Sequence, residues 1–307
     1  MGNTKISLRV LTGLVIFLFF GFVAPQNIPA SDLDLIKQKE FNVTPGGNFV
    51  LETEGGDVTV NSWEENKVGI KIFGNSKAKK KFTFSFESDG DFVKVTGKKH
   101  SSSIFSWFSS EKLRYEVLVP KEFDLDIRTA GGDVKIRDIK GGVVLTTSGG
   151  DIKVKSIQGS VEAKTSGGDI RISDAQGEIS LKTSGGDINC YSVNGEIIAK
   201  TSGGDIDLKD VSGKINSSTS GGDISLVYIG ENEGIELYTS GGDIKISVPD
   251  DFSADINLKT VGGEIQVDLE NLRDIQTSRF SFTASAGNSE YPLIAKTTGG
   301  DIIVGGF

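Results

Sequence analysis

Apolar and polar residues alternate in short runs that recur at a fixed interval along most of this chain. A Gly-Gly-Asp triplet returns every 18 residues, and apolar side chains occupy the first and third positions after each aspartate, with mostly polar residues between them. The aspartates of this regular set are Asp133, Asp151, Asp169, Asp187, Asp205 and Asp223. Alternation with a period of two predicts a β-strand that buries one face.

A second alternating run follows in each 18-residue unit, after a further glycine. These glycines are Gly141, Gly159, Gly177, Gly195 and Gly213. Each unit is expected to hold two short strands and two corners, where glycine accepts a positive φ without steric cost. One unit cannot bury its own apolar face, so the units must stack around a continuous core. The pattern predicts an all-β fold, a right-handed parallel β-solenoid with 18-residue coils.

The pattern is less regular at both ends of the chain. Towards the end, the acidic position returns at Asp243, Glu264 and Asp301 with longer intervals, and residues 269–296 predict an insertion and a C-terminal cap. Near the start, the Gly-Gly-Asp triplet that ends at Asp57 predicts one earlier coil.

A hairpin is predicted ahead of the regular repeat. Phe82, Phe84 and Phe86 alternate with polar residues and would share one face, and a Ser-Asp-Gly turn follows at residues 88–90. The chain before residue 129 therefore shares the β character of the repeat without its strict period.

Three segments are predicted for the whole chain: residues 1–30, a smaller β region over 31–128, and the solenoid with its insertion and cap over 129–307. The first contains Lys5 and Arg9, then an uncharged apolar run over 10–24. This order is typical of a secretory signal peptide. The run is short for a membrane span, but an uncleaved anchor remains the alternative. Either way the protein is expected to be exported, to the periplasm or the cell surface.

Composition excludes several kinds of chemistry. The chain has one cysteine, Cys190, and one histidine, His100, so an intramolecular disulfide and a multi-histidine metal site are impossible. The net charge of -9 argues against nucleic acid as a partner, because a basic surface supplies most of that affinity. Cys190 occupies an apolar column and is predicted to be a small buried hydrophobe.

The repeated TSGGDI corners resemble those of the bacterial family named "putative adhesin", a domain of unknown function with a β-solenoid fold. The segments YEVLVPKEFDLDIRTAGGDV (Tyr115–Val134) and FNVTPGGNFVLETEGGDVTVNSW (Phe41–Trp63) carry the same resemblance. It covers nearly all of the chain after the apolar run. The resemblance implies an exported β-solenoid of the cell envelope and brings no catalytic residues.

One Ser-rich stretch, residues 98–112, carries large apolar side chains: Ile104, Phe105, Trp107 and Phe108. One interpretation is a hydrophobic lid over the first coil of the solenoid, since solenoids need capped ends. The other is an exposed loop that binds a partner or touches a membrane surface. These four residues form the candidate partner-binding loop. Apart from it, only the N-terminal segment is expected to contact a membrane.

The stacked aspartates raise the question of a metal. We predict that each carboxylate accepts a hydrogen bond from a backbone N–H or hydroxyl in its own turn, and that Lys164, Lys182 and Lys200 offset the charge. The minor alternative is Ca²⁺ bound along the ladder, although one carboxylate per coil falls short of the 6–8 oxygens that calcium takes. The candidate ligands are Asp151, Asp169, Asp187, Asp205 and Asp223.

The sequence predicts a non-catalytic protein without a cofactor. Outward positions of the coils mix Lys, Glu, Ser, Asn and Tyr191, which indicates a solvated surface with no charged cluster of the kind a catalytic site needs. The predicted function is an adhesin-like binding or scaffold protein whose partner is an envelope component or another protein, with self-association through open strand edges as a further option. The alternatives are a polysaccharide-active β-helix enzyme and a module that senses envelope stress. An ice-binding threonine ladder ranks lower, because Thr165 and its equivalents fall in the inward phase.

Overall fold

The computed structural model describes residues 33–100, 111–270, 272–288 and 290–307, so the predicted signal or anchor segment lies outside the described residues. Within them the chain forms 25 β-strands and one short helix, which confirms the all-β prediction. Among these residues, no helix combines the length and the hydropathy that crossing a membrane requires.

The elements follow one another in chain order. They are β1 (Asp34–Asn42), β2 (Gly47–Thr53), β3 (Asp57–Trp63), β4 (Lys67–Gly74), α1 (Ser76–Lys81), β5 (Phe82–Asp89), β6 (Phe92–Lys99), β7 (Leu113–Pro120), β8 (Phe123–Thr129), β9 (Val134–Lys140), β10 (Val143–Thr147), β11 (Ile152–Gln158), β12 (Val161–Lys164), β13 (Ile170–Gln176), β14 (Ile179–Lys182), β15 (Ile188–Asn194), β16 (Ile197–Lys200), β17 (Ile206–Ser218), β18 (Ile224–Tyr238), β19 (Ile244–Val248), β20 (Ala254–Lys259), β21 (Ile265–Asp268), β22 (Leu272–Ser278), β23 (Ser281–Ala286), β24 (Pro292–Lys296) and β25 (Ile302–Gly306). Most connections between successive elements are short, and the one between β6 and β7 spans residues 100–112.

Two parallel ladders of strands run through the regular middle of the molecule. The first ladder stacks β9, β11, β13, β15 and the first half of β17, each strand one coil after the other. The second ladder stacks β8, β10, β12, β14, β16 and the second half of β17. The register repeats every 18 residues, so the coil length predicted from the sequence is confirmed.

The core is a set of stacked columns of apolar side chains between the two ladders. Ile152, for example, pairs in register with Val134 on one side and Ile170 on the other, and all three are inaccessible to solvent. Burying a side chain of this size contributes about 1.5–3 kcal/mol. Cys190 lies between Ile172 and Leu208 in the next column and is fully buried, as predicted.

A column of left-handed residues interrupts each strand of the first ladder. Its members have φ between 54° and 60° and do not pair in the register: Asp138, Ser156, Asp174, Ser192 and Asp210. Aspartate, which occupies three of the five positions, tolerates this conformation better than most L-residues. The kink changes the phase of the alternation, so that Ile157, which follows Ser156, faces the core again.

The N-terminal end departs from sequential stacking. The coil of β2 and β3 lies between β8 and β9 on one side and β6 and β7 on the other, although β6 and β7 are later in the sequence than β3. Val58 pairs with Val134, which confirms the predicted early coil. Strands β4 and β1 continue the first ladder beyond β7 in antiparallel fashion. Pairing is thus continuous across residue 128, and a domain boundary there stays a prediction.

The predicted hairpin is formed by β5 and β6, which pair antiparallel from Phe82–Lys99 to Asp89–Phe92. Two residues, Gly90 and Asp91, connect the strands, and Gly90 has a φ of +61°. The three phenylalanines of β5 pack against the core from one face, so the hairpin and its buried face are confirmed. The predicted position of the turn, residues 88–90, was wrong, because Ser88 and Asp89 still pair within the hairpin.

The C-terminal end also departs from sequential stacking. The coil of β24 and β25 lies between β18 and β19 on one side and β20 and β21 on the other. The predicted insertion contributes β22 and β23, an antiparallel hairpin that pairs with β20. This hairpin extends the second ladder beyond the last parallel coil.

Candidate functional site

The repeated aspartates form a relay of hydrogen bonds from coil to coil. The backbone N–H of Asp205 donates to Oδ1 of Asp187 at 2.8 Å, and that of Asp187 donates to Oδ1 of Asp169 at 2.9 Å. The relay runs through Asp57, Asp133, Asp151, Asp169, Asp187, Asp205, Asp223, Asp243, Asp301 and Glu264. The prediction of a backbone N–H partner is confirmed, but its placement in the same turn was wrong, because the donor belongs to the adjacent coil.

This relay offsets the repulsion within the row of carboxylates. Two like charges about 4 Å apart in water repel by roughly 1 kcal/mol, and a hydrogen bond to a charged acceptor contributes about 1.5–3 kcal/mol. The lysines that the sequence assigned to this task lie elsewhere. Lys164 pairs with Glu162 on its own strand, and no ion pair joins a lysine to a relay aspartate among the described residues.

The repeated threonines form a second relay inside the corner. Thr183 Oγ1 donates to the carbonyl oxygen of Gly168 in the preceding coil at 3.0 Å and accepts from the N–H of Gly186 in its own corner at 3.3 Å. The same pair of bonds occurs at Thr165, Thr201, Thr219, Thr239, Thr260 and Thr297. These hydroxyls are buried, so the threonine ladder offers no surface to ice.

The two corner glycines differ in what their surroundings allow. A Cβ on Gly186, the second glycine of its pair, would overlap the carbonyl oxygen of Gly168 in the stacked coil, whereas a Cβ on Gly185 would meet nothing nearer than 3.6 Å. The sequence prediction that corner glycines serve positive φ holds at Gly177, where φ is +134°. At Gly186 it was wrong, because the close approach of the neighbouring coil is the reason.

The aspartate row makes a poor calcium site. One oxygen of each carboxylate is occupied by a backbone N–H, and within the described residues no group of three or more acidic, cysteine or histidine side chains could hold a metal ion. We expect a chelator to leave the melting midpoint unchanged, measured by circular dichroism. A fall of several degrees that added Ca²⁺ reverses would contradict this expectation.

Cys190 has no access to thiolate chemistry. Burial, with a smaller contribution from the negative charge of Asp207, raises the pKa of its thiol to about 12. Burial also raises the pKa of Tyr115 above its usual value, against the opposing effect of a 2.7 Å hydrogen bond to Thr53. Both groups are therefore neutral parts of the core at physiological pH.

The candidate partner-binding loop lies outside the described residues, so its four apolar side chains stay a sequence prediction. The residues that flank it are described. Glu111 accepts from Lys81 at 2.5 Å and from Lys99 at 3.1 Å, which joins the strand before the loop to the residues after it. The chain therefore leaves and re-enters the fold at neighbouring points.

The outer surface of the first ladder has a shallow polar groove beside the left-handed column. Its volume is about 420 Å³, and its lining includes Trp63, Lys121, Asp138, Ser156 and Asp174. The indole N–H of Trp63 donates to the carbonyl oxygen of Lys67 at 2.8 Å. The sequence did not mark this groove, because its residues come from separate coils.

Comparison with known proteins identifies a family. The model of the family described as Toastrack DUF4097 matches residues 47–305. A crystal structure of a putative adhesin from Parabacteroides merdae has a TM-score of 0.47 at 11% identity, covering 87% of this chain and 95% of that one. A crystal structure of a putative lipid-binding protein from Parabacteroides distasonis has a TM-score of 0.40 at 14% identity, covering 87% of this chain and 96% of that one. No curated protein matches. Because the family model covers most of its length, this chain belongs to the Toastrack family, a β-solenoid domain of unknown function.

Proposed function

We propose that this protein is an exported, non-catalytic binding or scaffold protein of the cell envelope, adhesin-like in that it presents a rigid surface to a partner. One observation supports it above the others: the residues that the chain repeats are used internally. Aspartate carboxylates, threonine hydroxyls and the second corner glycines all contact the neighbouring coil. The repeat therefore serves rigidity, and only the outward side chains and the loops remain for a partner.

The candidate partner-binding loop, with Ile104, Phe105, Trp107 and Phe108, is the first contact surface that we propose. Aromatic side chains supply much of the energy at protein interfaces. An ion pair at 3.1 Å joins Lys99 and Glu111, which lie on either side of these four residues in the sequence. The partner is an envelope component or another protein, and the apolar segment over residues 10–24 either directs export or keeps the protein at the membrane.

A retention experiment tests this function. Full-length protein is incubated with envelope fractions beside the Phe105→Ser, Trp107→Ser, Phe108→Ser variant. The control variant, Ile275→Ser, Phe280→Ser, removes exposed apolar side chains from the C-terminal hairpin instead. We expect wild type and the control to retain an envelope component and the loop variant to lose it. Equal retention by all three would exclude the loop and leave the solenoid face or the apolar segment over residues 10–24 as the contact, and no retention by wild type would contradict a binding role.

Two further measurements separate the alternatives. An assay for cleavage of envelope polysaccharides is expected to show no products, and activity above that of an unrelated β-solenoid would favour the enzyme alternative. The N-terminal residue of the protein isolated from cells distinguishes cleavage after the apolar segment from an uncleaved anchor. An intact anchor would favour the envelope-stress alternative.

A further inference from the structure

Five positive charges lie side by side on the outer face of the first ladder. Lys135, Lys153 and Arg171 face one another across β9, β11 and β13, and Arg137 and Lys155 form a second row beside them. All five side chains are exposed. Adjacent strands are about 4.8 Å apart, and alternate residues along one strand are about 6.6 Å apart. We call these five residues the cationic grid.

The cationic grid makes few direct ion pairs, although the relay aspartates Asp133, Asp151 and Asp169 lie two residues before its first row and Asp138 follows Arg137. Within the described residues only Lys155 forms an ion pair, with Asp174 at 3.6 Å, and both side chains are more than half exposed. Elsewhere a cation such as Arg128 has a close partner, Asp126 at 2.7 Å. The chain as a whole is acidic, with a net charge of -9. Because like charges directly opposite on neighbouring strands destabilise a sheet, the grid is an arrangement that a bound anion would stabilise.

The grid has defined borders along the stack. The row of Lys135, Lys153 and Arg171 continues to Thr59 and then Glu116 on one side. On the other side it continues to Asn189 and then Asp207. A broad anionic surface, such as a lipid bilayer, would be repelled by the acids beyond the neutral residues. A narrow chain needs to contact only three strands, about 10 Å along the stack, and the rest of its length can leave the surface before it reaches these acids.

The spacing of the grid suits phosphate groups. A tetrahedral phosphate directs its oxygens apart and can accept from cations on two neighbouring strands, whereas a carboxylate presents both oxygens to one side and is matched by a single guanidinium fork. Arg137 and Arg171 lie at opposite corners of the grid, with lysines between them. The arrangement can thus engage successive anionic groups of an extended chain.

We propose that the cationic grid binds a linear polymer that carries phosphate groups. The proposal rests on the function inferred above, since it names the partner chemistry of a protein placed in the envelope. It concerns the solenoid face rather than the candidate partner-binding loop, so either contact can exist without the other.

The test measures binding of fluorescent long-chain polyphosphate to full-length protein in a neutral detergent. The grid variant is Lys135→Gln, Lys153→Gln, Arg171→Gln. The matched control is Lys164→Gln, Lys182→Gln, Lys200→Gln, which removes the same charge from three stacked residues of the second ladder. We expect the grid variant to weaken binding at least tenfold and the control to change it less than threefold. The slope of log affinity against log salt should fall by about two to three in the grid variant alone, as for lost phosphate contacts.

Three results would overturn the proposal. Equal binding by the grid variant and wild type would exclude the site, and equal loss in both variants would show an effect of net charge alone. Equal or tighter binding of polyglutamate that the grid variant loses would assign the grid to carboxylates, and detergent-free retention on phosphatidylglycerol vesicles that the grid variant loses would assign it to a membrane. Matching circular dichroism melts show that each variant folds. Because retention by envelope fractions is measured separately, failure with polyphosphate leaves the proposed binding role standing, and failure of both rejects both.

Discussion

The regular middle of the solenoid and its two ends use the same strands but differ in chain order. From β9 to β17 each coil lies on the coil that precedes it in the sequence. At each end one coil lies between two others that are not its neighbours in order: β2 and β3 at one end, β24 and β25 at the other. The period of the sequence therefore predicts local stacking, while the ends depend on long-range pairing.

The largest expected contrast is in hydrogen exchange at the C-terminal end. The backbone N–H of Ile302 donates to the carbonyl oxygen of Glu264 at 2.9 Å. In the middle of the stack, the N–H of Ile188 donates to the carbonyl oxygen of Asp205 at the same distance. We expect these two amides to exchange at similar rates, at least about a thousandfold slower than those of β22 at the edge. Native-state exchange followed by NMR measures this. Exchange of Ile302 at the rate of β22 would contradict the interior position of β25.

The next effect is in the corners of the middle. Gly186→Ala should lower the free energy of unfolding by about 3 kcal/mol or more, because its Cβ would overlap the backbone of the adjacent coil. A Cβ at Gly185, the matched control, would make only ordinary van der Waals contacts, so Gly185→Ala should change it by less than about 1 kcal/mol. Urea unfolding gives both values. Similar losses at the two positions would disprove the close-approach explanation.

A smaller effect is expected from the threonine relay. Thr183→Val keeps the shape of the side chain but leaves the carbonyl of Gly168 and the N–H of Gly186 without this partner. The expected loss is about 1–3 kcal/mol. Thr183→Ser keeps the hydroxyl and should lose less than Thr183→Val in the same unfolding measurement. The reverse order would mean that methyl packing, rather than the hydrogen bonds, stabilises the corner.

The last effect is absent at neutral pH and concerns alkaline pH alone. A thiol in an unfolded chain titrates near 8.5, and the folded pKa of Cys190 is about 12. The unfolded state therefore releases this proton first, so the contribution of Cys190 to stability is complete below about pH 8.5 and is lost as pH rises towards 12. Cys190→Ala should make the fall of the melting temperature shallower between about pH 8.5 and pH 10.5. Val193→Ala, a buried truncation on the same strand, should keep the wild-type slope, and identical slopes in all three proteins would exclude this origin.

The middle could be predicted from the sequence because its information is local. The columns that begin at Val134 and Ile136 show the strand, its buried face and the coil length directly. The partner of each relay aspartate could not be predicted, since a same-turn N–H and a next-coil N–H have the same chemistry and only the stacked backbone distinguishes them. The column of Lys135, Lys153 and Arg171 follows from the 18-residue period, whereas the scarcity of ion-pair partners around it depends on the folded side chains and could not be predicted.

The stacking order of the coils at the two ends could not be predicted, because the repeat period does not show where a later coil inserts between two earlier ones. Asp301 has the residues of an ordinary corner, and nothing near it in the sequence indicates that its coil lies inside that of Glu264. Likewise, β3 has the alternation of a first coil, yet β7 pairs on its outer side. The edge hairpins were predictable as elements, since turn residues mark them, but their place in the stack was not.

The interior position of β24 and β25 has a consequence for how the chain is made. A ribosome delivers β18 to β21 before β24 and β25 exist, yet the two later strands must end between them. During synthesis β20 and β21 therefore either remain unpaired until β24 and β25 are made, or pair first with β18 and β19 and then separate. Strands β24 and β25 thus complete the pairing of four earlier strands. A nascent chain that stops short of residue 292 would leave strand edges of β18 to β21 unpaired and exposed to chaperones and proteases.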